Sequence, residues 1–169
     1  MQVRSFPPLG NARATRLILG TMPGKMSLVA HEYYAHPRNA FWDIMQQVYG
    51  ISRELPYGLR VKALEKAGVA VWDVLAACTR TTSLDSDIVA ESVVPNDFAP
   101  YLTTHPRIQV IYFNGNSACR LFERHVVPAL TPRQREIARV TLPATSPAHA
   151  RMTRTEKVRG WKTLLRENG

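Results

Sequence analysis

The chain is short of cysteine, of acid and of long apolar runs. Its 169 residues hold two cysteines, Cys78 and Cys119, far apart. Two thiols are too few for a four-cysteine zinc or iron–sulfur site, and they suit a reducing compartment and packing roles. No HExxH string or Cys/His cluster is present, so neither a metal nor any other cofactor is expected. No apolar run approaches the roughly 20 residues of a membrane helix. The opening MQVRSFPPLG lacks the apolar core of a signal peptide. A cytoplasmic protein with no membrane partner is the expectation. Acid is scarce as well: 13 Asp and Glu stand against 22 Lys and Arg, a net charge of +9.

Hydrophobic residues make up 45% of the chain, which excludes a disordered polyelectrolyte. The length fits one globular domain over 1–169 with a substantial core. The positive charge is uneven. Residues 131–169 hold nine Lys and Arg against three Glu. A basic third of a globular domain points to a polyanionic partner, of which nucleic acid is the commonest.

Short apolar runs at 16–20, 69–72, 108–113 and 137–142 predict four strands covered on both faces. Between them lie helical patterns. Phe41, Ile44, Met45 and Val48 recur at helical spacing over 40–49, and Gly50 ends the run. Further helices are expected at 60–66, at 117–127, and from about 154, with Val158, Trp161 and Leu165 as an apolar stripe. Thr153 and Glu156 have capping-box spacing at the start of the last. Residues 1–15 read as a lead-in loop and 78–97 as a long, hydroxyl-rich excursion. Asn96 could cap a short helix over 97–103. Strands alternating with helices predict an α/β fold: a three-layer α/β/α sandwich around a mainly parallel four-stranded sheet. In such sheets ligands bind beyond the C-terminal strand ends. Here those ends are 20–24, 72–73, 114–116 and 143–149, so the motif-like stretches converge on one edge.

The densest of these stretches is 17–42. Its first strand ends in Gly20-Thr21-Met22-Pro23-Gly24, a loop whose backbone N–H groups could donate to an anion or a base carbonyl. It lacks the Lys-Ser/Thr of a P-loop and the spacing of a dinucleotide fingerprint. Tyr33-Tyr-Ala-His-Pro-Arg-Asn-Ala-Phe-Trp42 follows. Asn39 has two readings there. A side chain folded onto the Phe41 or Trp42 amide is a helix cap, worth about 1 kcal/mol. One facing the 20–24 loop can orient a water or bind a base edge. Phe41 fits the core stripe; Tyr34 or Phe41 could instead stack on a base. After the last strand, Ser146 could donate to a phosphate, His149 to a base or phosphate, and Arg151 with Met152 could probe a duplex.

These strings resemble the uracil-DNA glycosylase superfamily, and most of all its sixth family, the hypoxanthine-DNA (deoxyinosine) glycosylases. The resemblance rests on LGTMPG (19–24), YYAHPRNAFW (33–42), VWDV (71–74), SLDS (83–86), FNG (113–115) and LPATSPA (142–148). It implies a monofunctional DNA glycosylase that takes a deaminated base turned out of double-stranded or single-stranded DNA. A monomer without cofactor is expected. It assigns water positioning to Asn39. Gly20, Thr21, Met22, Pro23, Gly24, Tyr34, Phe41 and Asn114 then bind the base. Ser83, Ser146, Pro147, Ala148, His149 and Arg151 meet the DNA. Met22 stands where the mismatch-specific uracil/thymine glycosylases carry a catalytic Asn, and a thioether neither orients nor activates water. No paired carboxylates occur at a recognisable motif, and no lysine stands out as a Schiff-base nucleophile. A uracil or mismatch-specific glycosylase on the same scaffold, and a non-catalytic damaged-DNA binding module, remain the alternatives.

Overall fold

A computed structural model describes residues 1–166. Four strands form a parallel sheet in the order β3-β2-β6-β7: β2 Arg16–Gly20, β3 Val69–Asp73, β6 Val110–Asn114 and β7 Ala138–Leu142. All four coincide with the predicted apolar runs to within two residues at each end. Because strand side chains alternate, each strand feeds two cores. Leu17, Leu19, Ala70, Trp72, Ile111 and Phe113 pack on one face, against α4 (Phe98–Thr104) and α5 (Asn116–His125). Ile18, Val69, Val71, Val110 and Tyr112 pack on the other, against α2 (Phe41–Tyr49), α3 (Tyr57–Lys66) and α7 (Arg154–Trp161). That is the expected α/β/α sandwich.

The second sheet was not expected. β1 (Gln2–Arg4), inside the supposed lead-in loop, pairs antiparallel with β4 (Leu75–Thr79), and β4 pairs with β5 (Val94–Pro95). The excursion is therefore partly strand, with two short 3-10 turns at Asp85–Asp87 and Ala90–Ser92. Asn96 does not cap α4. Its Nδ2 donates to the Asp73 carbonyl at 2.7 Å, and Asp97 occupies the cap position. The buried carbonyl at a strand end needs a donor more than an exposed helix start does. Two short helices, α1 (Lys25–Ala30) and α6 (Pro132–Arg135), were also unforeseen. The capping box at Thr153 and Glu156 is present.

Register sets the ends of the parallel strands side by side. Gly20 is paired with Asp73, and Asn114 with Leu142. The loops that leave these residues frame one cavity. Among the described residues no helix is long and apolar enough to cross a membrane.

Candidate active site

The cavity at the strand ends is about 560 Å³ and is lined by loop 20–24, Tyr34, His36, Asn39, Asp73, Asp85, Asn114 and loop 144–148, among others. Its floor is the 20–24 loop. The carbonyls of Gly20 and Thr21 accept N–H groups of Val74 and Leu75 at 2.8 and 3.2 Å. The buried Arg80 donates through Nη2 to the Pro23 carbonyl. Three carbonyls are thus held by the protein, which fixes the loop against the sheet. Met22 is buried and contributes apolar lining.

Asn39 is fixed by three contacts. Its N–H donates to the His36 carbonyl at 2.9 Å, and the next N–H, that of Ala40, donates to the Thr145 carbonyl at 3.0 Å. Its Oδ1 accepts the Phe41 N–H at 3.0 Å. By the sequence criterion that is a cap. Yet the residue also lines the cavity with loop 20–24, so the two readings coexist. The Phe41 bond occupies one lone pair of Oδ1; the second, and both Nδ2 donors, remain.

Tyr34 sits at φ 57°, a left-handed conformation that a bulky residue adopts at a cost of order 1–3 kcal/mol. Its neighbours enforce it. The Tyr33 N–H donates to Tyr57 Oη and the Ala35 N–H to Ser27 Oγ, both at 3.0 Å. The Tyr34 ring stacks on Phe41 at 4.0 Å between centroids. Its hydroxyl is buried with no hydrogen bond of good geometry, although the Asn114 amide lies beside it. Burial first, then the nearby Asp73, pushes its pKa well above the usual tyrosine range.

Asp73 closes the apolar strand β3 and is 3% exposed. Its Oδ2 has no hydrogen-bond partner in the protein. Loss of hydration, then repulsion from Asp85, pushes its pKa up to about 7, against the opposing pull of Arg80. Asp85 stands at the mouth of the cavity. Its surface is open to solvent, but the carboxyl is crowded enough that desolvation raises its pKa too, while Thr21 and Arg80 pull it back. A Cβ at Gly20 would come within 2.6 Å of Asp73 Oδ1 and 2.9 Å of the Tyr34 hydroxyl, so glycine is required for both groups to reach this floor.

The wall opposite is the 143–149 loop, tied down from both sides. Asn114 Oδ1 accepts the Thr145 N–H and its Nδ2 donates to Thr145 Oγ1, both at 2.9 Å. From α7, Trp161 Nε1 donates to the Pro143 carbonyl at 2.8 Å, and the buried Lys157 donates to the Ser146 carbonyl at 3.3 Å.

A protein-family model described as the uracil DNA glycosylase superfamily matches residues 7–165. The chain belongs to that superfamily. A Methanosarcina barkeri protein named hypoxanthine DNA glycosylase is 32% identical over 119 residues, 70% of this chain and 74% of the relative. One of the same name from Methanosarcina acetivorans is 33% identical over 116 residues, 68% of this chain and 72% of the relative. The solution NMR structure of a Methanosarcina acetivorans protein assigned as a uracil DNA glycosylase superposes with a TM-score of 0.78 at 28% identity, covering 98% of this chain and all of the other.

In this superfamily member the cavity brings together Gly20, Thr21, Met22, Pro23, Gly24, Tyr34, Asn39, Ser83, Asn114, Ser146, Pro147 and Ala148. Phe41 is a correction. It is fully buried, lies outside the cavity wall and supports Tyr34 from behind, because its helical position points it into the core between Trp42 and Trp161. Asn114 reaches the cavity, and its two bonds to Thr145 leave one Nδ2 hydrogen and one Oδ1 lone pair. His149 and Arg151 lie just past the wall, half-buried and exposed. Sequence reasoning missed Asp73 and Asp85. The absence of a carboxylate motif concealed that two acids, twelve residues apart, meet in one cavity. The signal for Asp73 was an acid closing an otherwise apolar strand.

Proposed function

We propose that this DNA glycosylase hydrolyses the N-glycosidic bond of deaminated purines in DNA, hypoxanthine foremost, with Asn39 positioning the water. The observation that carries the reading is Asn39: locked by the Phe41 amide and the Thr145 carbonyl link, it still faces the cavity that contains the 20–24 loop. The hypoxanthine relatives supply the substrate class.

The bond is out of reach inside a duplex, so the nucleotide flips into the cavity at a cost of a few kcal/mol. Tyr34, braced by Phe41, offers a surface for the base. As the bond breaks, the sugar gains positive charge and the base negative charge. Backbone donors of loop 20–24 are placed to stabilise the departing base. A neutral amide does not deprotonate water, so Asn39 works by orientation: its free lone pair and Nδ2 hold a water for addition to the sugar cation. The proton is then lost to solvent. Ser83 and Ser146 hydroxyls, with His149 and Arg151 beyond them, meet phosphates without reading sequence. Duplex DNA is the principal substrate, single-stranded DNA a second form, and one chain acts as a monomer. The reaction is monofunctional: Lys157, the buried lysine beside the site, lies behind the loop on a backbone carbonyl.

Incubation with inosine-containing duplex, followed by alkaline cleavage of abasic sites, tests this. Release of hypoxanthine is expected, reduced at least about 100-fold in Asn39→Ala. Absence of inosine-dependent cleavage, or an unchanged rate in the folded variant, would refute it.

A further inference from the structure

A buried cation lies behind the 20–24 loop. Arg80, the residue after β4, is 4% exposed and stands outside the cavity wall. Its Nη2 donates to the Pro23 carbonyl, and its Nη1 is buried with no hydrogen-bond partner. Asp73 and Asp85 both feel its charge, but among the described residues no carboxylate forms an ion pair with it. A guanidinium does not shed its proton, so its burial without a paired anion is costly. A charge left uncompensated in this way points to an opposite charge that arises only during the reaction.

The contact also sets the direction of one peptide. No peptide bond among the described residues is cis, so Pro23–Gly24 is planar and trans, with its C=O and N–H on opposite sides. With the carbonyl held by Arg80, the Gly24 N–H is turned away from the guanidinium. Gly24 lines the cavity, and no hydrogen bond among the described residues uses its N–H. The next N–H along, that of Lys25, is taken by Ser83 Oγ at 3.0 Å.

We propose that Arg80 is a positioning residue for base release: it turns the Pro23–Gly24 peptide so that the Gly24 N–H faces the departing base, and it lends that N–H its positive charge. The inference rests on the glycosylase reading above. A cation on a carbonyl oxygen draws electron density through the peptide and makes the N–H at its other end a stronger donor. The benefit grows as negative charge builds on the leaving base, so it favours the transition state over the ground state.

Arginine suits the task because it stays charged when buried, whereas a lysine loses its proton more readily there. Its place is fixed independently of the loop: the Arg80 N–H donates to the Met1 carbonyl at 3.1 Å, and the preceding Thr79 carbonyl accepts the Val89 N–H at 2.9 Å. The loop is thus oriented from a rigid part of the second sheet, and Arg80 itself never touches the base.

Single-turnover release of hypoxanthine from saturated inosine duplex, beside equilibrium binding of the same duplex, tests the role, with melting curves for every variant. Arg80→Met removes both the charge and the bond to Pro23. It is expected to slow release by about 100-fold while Kd stays within about threefold of wild type. Arg80→Lys keeps a cation on the carbonyl and is expected to recover about tenfold of that loss. A folded Arg80→Met with the wild-type rate overturns the role. So does an Arg80→Lys as slow as Arg80→Met, or a loss confined to Kd. Should Arg80→Met not fold, Arg80→Gln, polar but too short to reach the carbonyl, takes its place with the same expectations. The amide resonance of Gly24 in the DNA-free protein reads the peptide without any activity. It is expected to move in the neutral variant while those of Val74 and Leu75, which hold the Gly20 and Thr21 carbonyls, stay in place. An unmoved Gly24 resonance overturns the orientation by Arg80. A wild type that releases no base overturns the glycosylase reading itself, and the catalytic role of Arg80 falls with it whatever the Gly24 resonance shows.

Discussion

An Asp at the end of an apolar strand ordinarily faces water, whereas Asp73 is 3% exposed with a carboxyl pushed up to about 7 from an ordinary value of 3.8. Such a shift is also a stability term. Below about pH 4 the folded and unfolded states both hold the proton, and the contribution of Asp73 is complete. Between there and about pH 7 only the folded state keeps it, so stability declines with rising pH by up to about 1.4 kcal/mol per unit. Above that both states are ionised, and the folded protein carries a buried charge opposed by Asp85. The unfolding free energy of Asp73→Asn, read from denaturant melts, should therefore rise relative to wild type as pH increases, the gap at about pH 8 exceeding that at about pH 5 by a few kcal/mol. Carboxylates other than Asp85, which is coupled to Asp73, cancel in the difference, so a gap independent of pH would show that Asp73 does not titrate in this range. Residue chemistry of this kind was not legible beforehand. The sequence shows the acid and the strand, but only register places Asp73 beside Gly20, and only the fold brings Asp85 across to it. Asn39 was legible as a pair of readings, and the geometry keeps both.

Elements were more legible than sites, for a physical reason. The four parallel strands are buried on both faces and so write themselves as uninterrupted apolar runs. β1, β4 and β5 are short and paired at an edge, with half-exposed residues, and leave no such run. The helix α1 is six residues with a single buried side chain, Ser27, and has no stripe to find. The same scale explains Asn114. It closes β6 and lines the cavity, and its two bonds to Thr145 also make it the strap between the sheet and the 143–149 loop, which in turn receives the Ala40 N–H beside Asn39. Asn114→Ala should lower stability by about 1–3 kcal/mol and slow base release by more than it weakens duplex binding. Asn114→Asp, which can still accept both the Thr145 N–H and the hydroxyl proton, should recover most of the rate. Single-turnover rates beside equilibrium binding would separate these effects. An Ala variant with full activity, or an Asp variant as slow as Ala, would remove the strap from the mechanism.

At the scale of the molecule, the charge of +9 is a long-range handle on DNA, but the cations do not contribute equally. Arg53 and Arg154 both reach Asp43 at 2.9 Å, and Arg139 reaches Glu123 at 2.9 Å. Asp43 offsets one of its two arginines and Glu123 offsets Arg139, so two of these three charges are spent within the protein. Arg38 adjoins Asn39 and Arg151 follows the 144–148 wall, so both stand exposed beside the cavity rather than across the molecule from it. A flipped nucleotide in that cavity brings its flanking phosphates to the same rim. Each phosphate neutralised by Lys or Arg releases counterion, and log Kd then varies with log salt with a slope of about 0.9 per contact on duplex DNA. Arg38→Ala and Arg151→Ala should each reduce the slope by about 1, equally for inosine-containing and undamaged duplex, because phosphates carry no base identity. Arg139→Ala removes the same formal charge from a paired position and should leave the slope unchanged. The rate of base release within the saturated complex should stay at the wild-type value in all three, since none touches the base. Fluorescence anisotropy titrations at several salt concentrations read the slopes. Equal losses from the rim and from Arg139 would mean that DNA responds to the net charge alone, and that the rim is not where the backbone lies.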